Sequence, residues 1–586
     1  MRHRYQTGLT HILVVVLLVG TGVKAQSSSA AGAAESHYQK GIELLQKEQL
    51  ESAIAELLAA TRLKPRFADA YKALGIAQAR KGYLKDAAIA FRKAIALDPG
   101  IYEAQLGLAS ILQQAGDAEG AIGACQQAIS LRPDAVDARL LLGAAYQLKG
   151  DLDSAIAQFR QAVQLQPAAA EAHSYLGYAL GVKGLLPEAI SELETAIRLK
   201  PDLAETQYYL GAARWFSNDV SGAIAALTTA AQLMPNHANA HYYLGLALKK
   251  SGSLERAIGE LGMAVKLAPE LIEPRHAMGL ALQEDKNLDA AIEAFRAVTK
   301  LKPDFVQAHN DLGLALVQKR DPEAAIAEFN TVLRLDPTNL VAHHNLGMTL
   351  IQKGDYAAAV RQYQKLITLA PENAEAHYNL ALALKQEDKL DDAIVELRRA
   401  ITFQPSLHEA HYALGAILLQ QSRLEEAAEA FRAAIAAKKD YAEAYYALGT
   451  VLQQKRDVDG AITTFREALK YAPDAAEIHN TLGNSLRQKG DAEGARAEFQ
   501  DAARLNKIKV NQQAAIFASN TGLAYLKEGK VDAAIERFQA AVRLDPTNAQ
   551  AYYNLAKALQ QKGQAEASRA AYQKAKELDP RLKLLQ

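Results

Sequence analysis

The sequence is poor in cysteine, and it has no excess of charge of either sign. A single cysteine, Cys125, in 586 residues excludes an internal disulfide framework and any metal or iron–sulfur site built from several cysteines. Basic and acidic residues are equal at 66 each, which argues against a nucleic-acid binder, because such proteins concentrate a basic excess on one face. No glycine-rich phosphate loop, HExxH or GxSxG motif occurs, so we expect neither catalysis nor a cofactor.

The first 25 residues have the composition of an export signal. Arg2 and Arg4 precede the apolar run 12–19, and small residues follow up to Ala25. This order predicts a secretory signal over residues 1–25, cleaved between Ala25 and Gln26, and a polar linker over 26–33. The alternative is an uncleaved inner-membrane anchor, but the apolar stretch is shorter than the ~20 residues of a spanning helix. We expect an exported protein, periplasmic or secreted, without a stable membrane span after cleavage.

Proline and glycine both recur with one period along the rest of the chain. Prolines are spaced by 34 residues at 65, 99, 133, 167, 201, 235, 269, 303, 337, 371 and 405, and Pro473 continues the phase. Gly or Ala follows the same period at 41, 75, 109, 143 and onward. When this small residue is numbered position 8, the prolines fall at position 32. The period predicts repeats 1–14 over 34–509, an insertion over 510–514, repeats 15–16 over 515–582 and a tail over 583–586.

Each unit has the pattern of two short helices. In the unit 374–407, His377, Leu380, Ala381 and Leu384 form the i, i+3, i+4, i+7 stripe of an amphipathic helix. A polar break separates this stripe from a second one, which Pro405 ends. Position 8 is Gly or Ala and position 20 is Ala or Ser in every unit, as close contact between helix axes requires.

These positions resemble the tetratricopeptide repeat. The resemblance rests on small residues at positions 8 and 20, proline at 32, and Leu or an aromatic residue at 24, as in Phe91, Phe159, Phe295, Phe329, Phe431, Phe465, Phe499 and Phe538. It implies an all-α fold, a right-handed superhelical α-solenoid of about 16 tandem repeats whose first helices form a concave wall. Local departures are Cys125 at position 24 and Arg214 at position 11, where Leu or Tyr is usual.

The insertion predicts an irregular joint between repeats 14 and 15. Lys507 stands where other repeats have the terminating proline, and five extra residues follow at 510–514. Unlike proline, lysine at this position does not interrupt a helix. We therefore expect a lengthened helix at this point and a local change in the pitch of the superhelix.

Two ladders of polar residues recur at single repeat positions. Histidine occupies position 4 at 173, 241, 309, 343, 377, 411 and 479, but equivalent atoms in neighbouring repeats lie ~10 Å apart, too far for a shared metal. We interpret these residues as half-buried packing histidines. Glutamine occupies position 13 in six consecutive units, as Gln318, Gln352, Gln386, Gln420, Gln454 and Gln488. The glutamines are either solvated helix ends or an amide ladder for an extended peptide.

An aromatic concentration in repeats 5 to 7 is the candidate ligand-binding surface. Tyrosine occupies position 6 only there, and by its angle on the helix we expect position 6 to face the groove. The candidate residues are Tyr175, Tyr178, Tyr208, Tyr209, Trp215, Phe216, Tyr242 and Tyr243. Solvent-facing aromatic clusters commonly mark binding sites. The alternative is that these are ordinary helix residues and that Trp215 shields Arg214.

The sequence as a whole favours a non-enzymatic protein–protein interaction scaffold outside the cytoplasm, with a protein or peptide partner. The alternative is a periplasmic scaffold for envelope polysaccharide secretion or outer-membrane assembly, where aromatic side chains could stack on sugars. No β-barrel pattern follows the repeats, which weakens the comparison with cellulose export. Fold alone does not name the partner.

Overall fold

The computed structural model describes residues 30–582, which form 31 α-helices and no strand. The predicted signal and its cleavage site at Ala25 and Gln26 lie outside these residues, as does the predicted tail. The chain divides into two compact bodies at Arg320 and Asp321. The repeat boundaries follow the predicted 34-residue period, since every second helix begins at position 17 and every first helix at position 1, except in repeats 1 and 15.

The first body contains repeats 1 to 8 and the first helix of repeat 9. Its helices are α1 (Ala30–Gln46), α2 (Leu50–Leu63), α3 (Ala68–Lys81), α4 (Leu84–Leu97), α5 (Tyr102–Gln114), α6 (Ala118–Leu131), α7 (Val136–Lys149), α8 (Leu152–Leu165), α9 (Ala170–Lys183), α10 (Leu186–Leu199), α11 (Ala204–Phe216), α12 (Val220–Leu233), α13 (Ala238–Lys250), α14 (Leu254–Leu267), α15 (Ile272–Glu284), α16 (Leu288–Leu301) and α17 (Val306–Gln318). The start of α1 corrects one prediction: the alanines of the supposed linker 26–33 are already helical from Ala30, because alanine favours a helix.

The second body contains the second helix of repeat 9 and repeats 10 to 16. Its helices are α18 (Pro322–Leu335), α19 (Leu340–Lys353), α20 (Tyr356–Leu369), α21 (Ala374–Gln386), α22 (Leu390–Phe403), α23 (His408–Gln420), α24 (Leu424–Ala437), α25 (Ala442–Gln454), α26 (Val458–Tyr471), α27 (Ala476–Lys489), α28 (Ala492–Lys527), α29 (Val531–Leu544), α30 (Ala549–Gln561) and α31 (Ala565–Leu578). The predicted lengthened helix is confirmed: α28 runs for 36 residues through Lys507 and the insertion.

The core of each repeat is a glycine or alanine packed under a large side chain. A Cβ placed on Gly75 would lie 2.8 Å from the ring of Phe91, and one on Gly211 would lie 2.4 Å from Leu227 Cγ. Position 8 must therefore stay small for the two helices of a repeat to meet. Phe91 itself is 1% exposed, which shows that position 24 is the centre of the repeat core.

The turn between the two helices has one conformation throughout the array. Position 15 adopts a positive φ in every repeat, for example 87° at Gly82 and 66° at Lys286. The helix that follows is often capped by aspartate, as where Asp151 accepts a hydrogen bond from the Ser154 amide at 3.0 Å. The positive φ reverses the chain in a single residue, so the two helices lie antiparallel.

Neighbouring repeats are also joined at the surface by ion pairs. The lysine at position 14 of one repeat meets the acid at position 18 of the repeat before it, for example Lys81 with Glu51 at 2.8 Å and Lys455 with Glu425 at 3.2 Å. Within each body the first helices of successive repeats contact one another, whereas successive second helices are further apart among the described residues. First helices therefore lie on the inner side of the local curvature.

Candidate functional site: the aromatic cluster of repeats 5 to 7

The predicted aromatic residues do come together in the first body, across α9, α11 and α13. The ring centroids of Tyr178 and Tyr209 are 4.6 Å apart, and those of Tyr208 and Tyr243 are 6.3 Å apart. Phe216 meets Tyr243 edge-on at 5.8 Å. These rings form one continuous packed unit across three repeats, which we call the aromatic cluster.

The prediction that these tyrosines face solvent is wrong for most of them. Tyr178, Tyr208, Tyr209 and Tyr243 are between 3% and 7% exposed. The physical reason is that position 6 faces the preceding repeat, since Tyr175 at that position stacks on Phe159 of repeat 4 with ring centroids 5.7 Å apart. Burial raises the pKa of Tyr178 to about 12, with a smaller contribution from Glu205. These four buried tyrosines therefore support the surface from beneath and do not form its exposed part; we call them the buried aromatic foundation.

The accessible part of the aromatic cluster is its rim. The rim consists of three half-buried side chains: Trp215 and Phe216 at the carboxyl end of α11, and Tyr242 near the start of α13. The Lys250 ammonium lies 5.5 Å from the Trp215 ring and also donates a hydrogen bond to Asn218 Oδ1. A side chain on Gly181 would meet little beyond Ala189, so open space remains at that site in repeat 5. The rim therefore combines apolar ring edges with one nearby cation.

An acidic cavity of about 300 Å³ lies beside the cluster, between α9 and α11. Tyr175 and Tyr209 form one wall, and the carboxylates of Glu171 and Glu205 contribute charge. Burial, followed by those two carboxylates, raises the pKa of Tyr175 to about 12. Lys200 pairs with Glu171 at 3.2 Å at the mouth. These two glutamates were not predicted as site residues, although an acid at position 2 recurs in many repeats.

Arg214, which stands at position 11 in place of the usual Leu or Tyr, forms ion pairs with two acidic side chains. Its guanidinium meets Glu194 at 2.6 Å and Asp219 at 3.7 Å. His237 was also missed: it caps α13 by accepting from the Ala240 amide at 3.1 Å, and its ring meets Tyr208 edge-on at 4.7 Å. Burial, and then the nearby His241, lowers the pKa of His237. Both residues fix α11 and α13 beneath the rim.

The histidines at position 4 contact both their own repeat and the preceding one. In His377, Nδ1 lies 2.5 Å from Glu396 of the same repeat and Nε2 lies 2.9 Å from the Pro371 carbonyl oxygen of the preceding repeat. His173 and His241 have an equivalent pair of partners. Across residues 30–582, no three side chains of His, Cys, Asp or Glu are placed to bind one metal ion. The histidines tie the second helix to the end of the previous repeat.

The glutamines at position 13 are exposed at the ends of first helices. Gln318 ends α17 in the first body, and the other five lie in the second body, at Gln352, Gln386, Gln420, Gln454 and Gln488. Their amides are accessible to solvent, and this is expected both for solvated helix ends and for an amide ladder that binds a peptide.

Cys125 is buried, and burial raises the pKa of its thiol to about 12, so it carries no reactive thiolate near neutral pH.

None of the helices within residues 30–582 is long and apolar enough to cross a lipid bilayer. No curated protein matches this chain. Among solved structures, MamA from Desulfovibrio magneticus RS-1 is 27% identical over 29% of this chain and 96% of its own, with a TM-score of 0.28. YrrB, described as a TPR protein with an unusual peptide-binding site, is 22% identical over 32% of this chain and 98% of its own, with a TM-score of 0.29.

A tetratricopeptide repeat protein from Parabacteroides merdae is 17% identical over 42% of this chain and 98% of its own, with a TM-score of 0.34. TM-scores this low carry no functional argument. The assignment of the chain to a family rests instead on the family models that match its sequence. One described as "Tetratricopeptide repeat" matches more than half of the chain, at residues 38–100, 106–163, 208–271, 276–339 and 446–507. One described as "TPR repeat" matches 148–184, 347–388, 383–422, 417–456 and 522–563. The chain belongs to the tetratricopeptide-repeat family, an all-α solenoid fold that serves as a protein–protein interaction scaffold.

Proposed function

We propose that this protein is a non-enzymatic scaffold, outside the cytoplasm, that binds an extended segment of a partner protein at repeats 5 to 7. The observation that carries the proposal is the half-exposed rim of Trp215, Phe216 and Tyr242 on a buried aromatic foundation. Trp and Tyr dominate interface hot spots because they bury a large area with few rotatable bonds. A foundation already packed loses little entropy when a partner binds.

The chemistry of the partner follows from what surrounds the rim. Three carboxylates, those of Glu171, Asp202 and Glu205, line the adjoining cavity together with one cation, Lys200, so a lysine or arginine side chain suits its net negative charge. An apolar side chain suits the rim. The glutamines of the second body offer amide groups for a peptide backbone as a separate polar surface. The location rests on the basic, apolar and small order of residues 2–25.

The test is affinity capture from envelope extract, followed by titration of the captured protein. The double variant Trp215→Ala, Phe216→Ala should bind at least tenfold more weakly, because both side chains belong to the rim. Tyr209 is unsuitable for this test, since it is 7% exposed and its loss would disturb the fold. Tyr83→Ala is the matched control, because Tyr83 is 46% exposed in the same body but outside the cluster.

Equal binding by the double variant and the wild type, with unchanged circular dichroism, would place the partner elsewhere. Capture of glycan without protein would contradict the proposal and favour the polysaccharide alternative. The location has its own test, which is the amino-terminal sequence of the exported protein. Cleavage after Ala25 predicts that this sequence begins at Gln26.

A further inference from the structure

One face of the long helix α28 exposes apolar side chains near both ends and at its centre, with Asn506 and Gln513 on the same face between them. At 100° per residue, Phe499, Ala503, Val510, Phe517 and Ala524 lie within ~40° of a common line. Val510 is 62% exposed and Phe517 is 75% exposed. Phe499 is half-buried, whereas its counterpart Phe465 in repeat 13 is fully buried. An exposed apolar stripe of this kind on a helix marks a surface that another helix can cover.

The amino-terminal half of this face contains a cavity. About 390 Å³ of open space lies against Arg487, Ala492, Arg496, Phe499 and Ala503. In other repeats the first helix of the next repeat occupies this place, as shown by Gly107 of repeat 3, where an added Cβ would lie 2.5 Å from Phe91 of repeat 2. Repeat 15 cannot supply that helix to repeat 14, because the two helices are one continuous α28.

The carboxyl-terminal half carries a protruding side chain. Phe517 stands at repeat position 3, which in most other repeats is a buried alanine such as Ala138, with no exposed surface. Phe517 is fourteen residues from Ala503 on the same helix, a distance of ~21 Å. A rigid helix cannot fold back over that distance, so Phe517 cannot fill the cavity of its own chain.

We propose that a second copy of this chain covers the stripe, with the two α28 helices antiparallel about a two-fold axis at Val510. In this register Ala503 faces the partner's Phe517, and Phe499 faces the partner's Thr521. Arg496 then faces the partner's Ala524 and lies one turn from the partner's Glu528. At each end of the interface a small residue faces a large one and a cation lies near an anion. The two ends make the same contacts because the two-fold axis relates them.

The proposed register continues an interface that the chain already uses between its own repeats. In repeats 3 and 4, Ile129 at position 28 and Ala138 at position 3 belong to one packed cluster. Ala503 is at position 28 of repeat 14 and Phe517 is at position 3 of repeat 15. The α28 pair thus makes the same positional contact with the sizes exchanged, large at position 3 and small at position 28. Such an exchange keeps the packed volume nearly constant.

Sedimentation velocity of the full chain between about 1 and 100 µM tests the proposal. An interface of one helix pair is small, so we expect a dimer with a micromolar dissociation constant. Phe517→Lys should raise that constant more than tenfold, because the added cation would enter a cavity of the partner that Arg487 and Arg496 already line. Ile516→Lys is the matched control: Ile516 is 54% exposed on another face of α28, and its change should leave the dimer intact.

Cross-linking keeps the test decisive if a charged variant folds poorly. Val510→Cys lies on the two-fold axis and should form a covalent dimer with a short bismaleimide, whereas Gln512→Cys, exposed on the opposite face, should not. The native Cys125 is buried and does not compete. A monomer at 100 µM, or equal cross-linking through residues 510 and 512, would overturn the proposal. Binding at repeats 5 to 7 is measured separately, so failure of one does not affect the other.

Discussion

At the scale of single residues, the repeated turn shows where the chain accepts local strain. Position 15 has a positive φ in every repeat, yet residues other than glycine stand there in several, such as Lys286 and Arg456. A side chain in this region is destabilised by contact between Cβ and the backbone, a cost of ~1 kcal/mol. The polar break between the two stripes indicated a turn, but only the backbone shows that glycine, lysine and arginine adopt the same conformation there.

We expect Lys286→Gly to stabilise the first body by ~0.5–1 kcal/mol, because glycine removes the steric cost and the exposed Lys286 side chain forms no ion pair or hydrogen bond within residues 30–582. Urea unfolding of both proteins measures the difference. Gly82→Ala is the reciprocal control and should destabilise by a similar amount, since Gly82 has a φ of 87°. A lower free energy of unfolding for Lys286→Gly would contradict the explanation.

His237 makes the aromatic cluster sensitive to acid. Its pKa is lowered by burial, so below pH ~6.5 the unfolded chain binds a proton that the folded chain resists. The stability that His237 contributes is therefore present above that pH and declines as the pH falls. His237→Asn keeps a cap without titrating. We expect the free-energy difference between wild type and variant to favour the wild type less at pH 5.5 than at pH 7.5; a constant difference would contradict this.

The error at position 6 has a residue-level cause. An angle on a helical wheel locates a side chain relative to its own helix, but the burial of Tyr209 depends on where the preceding repeat lies. The close contact between helices at Gly75 and Gly211 was predictable, because a small residue that recurs at a fixed period commonly marks the place where two helices touch. The location of the rim was not, because Trp215 and Phe216 remain half-exposed only through the placement of α9 and α13.

At the scale of helices, the missing proline and the five extra residues together account for α28, because repeat 12 has Lys439 at position 32 without an insertion and still has a turn between Ala437 and Ala442. Every other described boundary between a second helix and the next first helix has a turn, and most of them have proline at position 32. Lys507 in that position allowed a long helix to be predicted from the sequence. What the sequence did not indicate is the consequence, an open cavity beside Phe499 and a protruding Phe517.

Restoring the proline should break this element. Lys507→Pro removes a backbone donor in the middle of α28 and introduces a clash with the preceding turn, so we expect the second body to lose ~3 kcal/mol or more. Lys507→Ala should be nearly neutral, because Lys507 is exposed. Chemical unfolding followed by circular dichroism compares the two variants. Equal stability of Lys507→Pro and Lys507→Ala would mean that the continuity of α28 is not needed.

At the scale of the whole molecule, stability is distributed among neighbouring repeats. Within each body, the closest contacts of a helix are with the helices that precede and follow it and, for first helices, with the first helices next to it. A stack of this type gains stability repeat by repeat rather than from one central core. The repeated helical hairpin was predictable from periodicity, and the solenoid from the resemblance to the tetratricopeptide repeat. The division into two bodies at residue 320 has no counterpart in the repeat pattern.

We expect Phe159→Ala to weaken the array locally. The ring is fully buried in repeat 4 and stacks on Tyr175 of repeat 5, so its loss should cost ~3–5 kcal/mol. Hydrogen exchange should show faster amide exchange in repeats 3 to 5 and unchanged exchange in repeats 12 and 13. Phe403→Ala, which removes a ring that is 42% exposed, is the control and should change little in repeats 3 to 5. Uniformly faster exchange along the chain would indicate a single cooperative core.

The nearest-neighbour contacts also determine how the chain can acquire its structure during synthesis. A hairpin needs only the one that follows it to cover its second helix, so contacts form between segments close together in the chain, which favours rapid folding. Repeats can therefore assemble in order as they emerge, from the amino-terminal end. The shared helix α28 is the exception, because repeats 14 and 15 complete it jointly. Assembly should pause there until both halves, from Ala492 to Lys527, have been made.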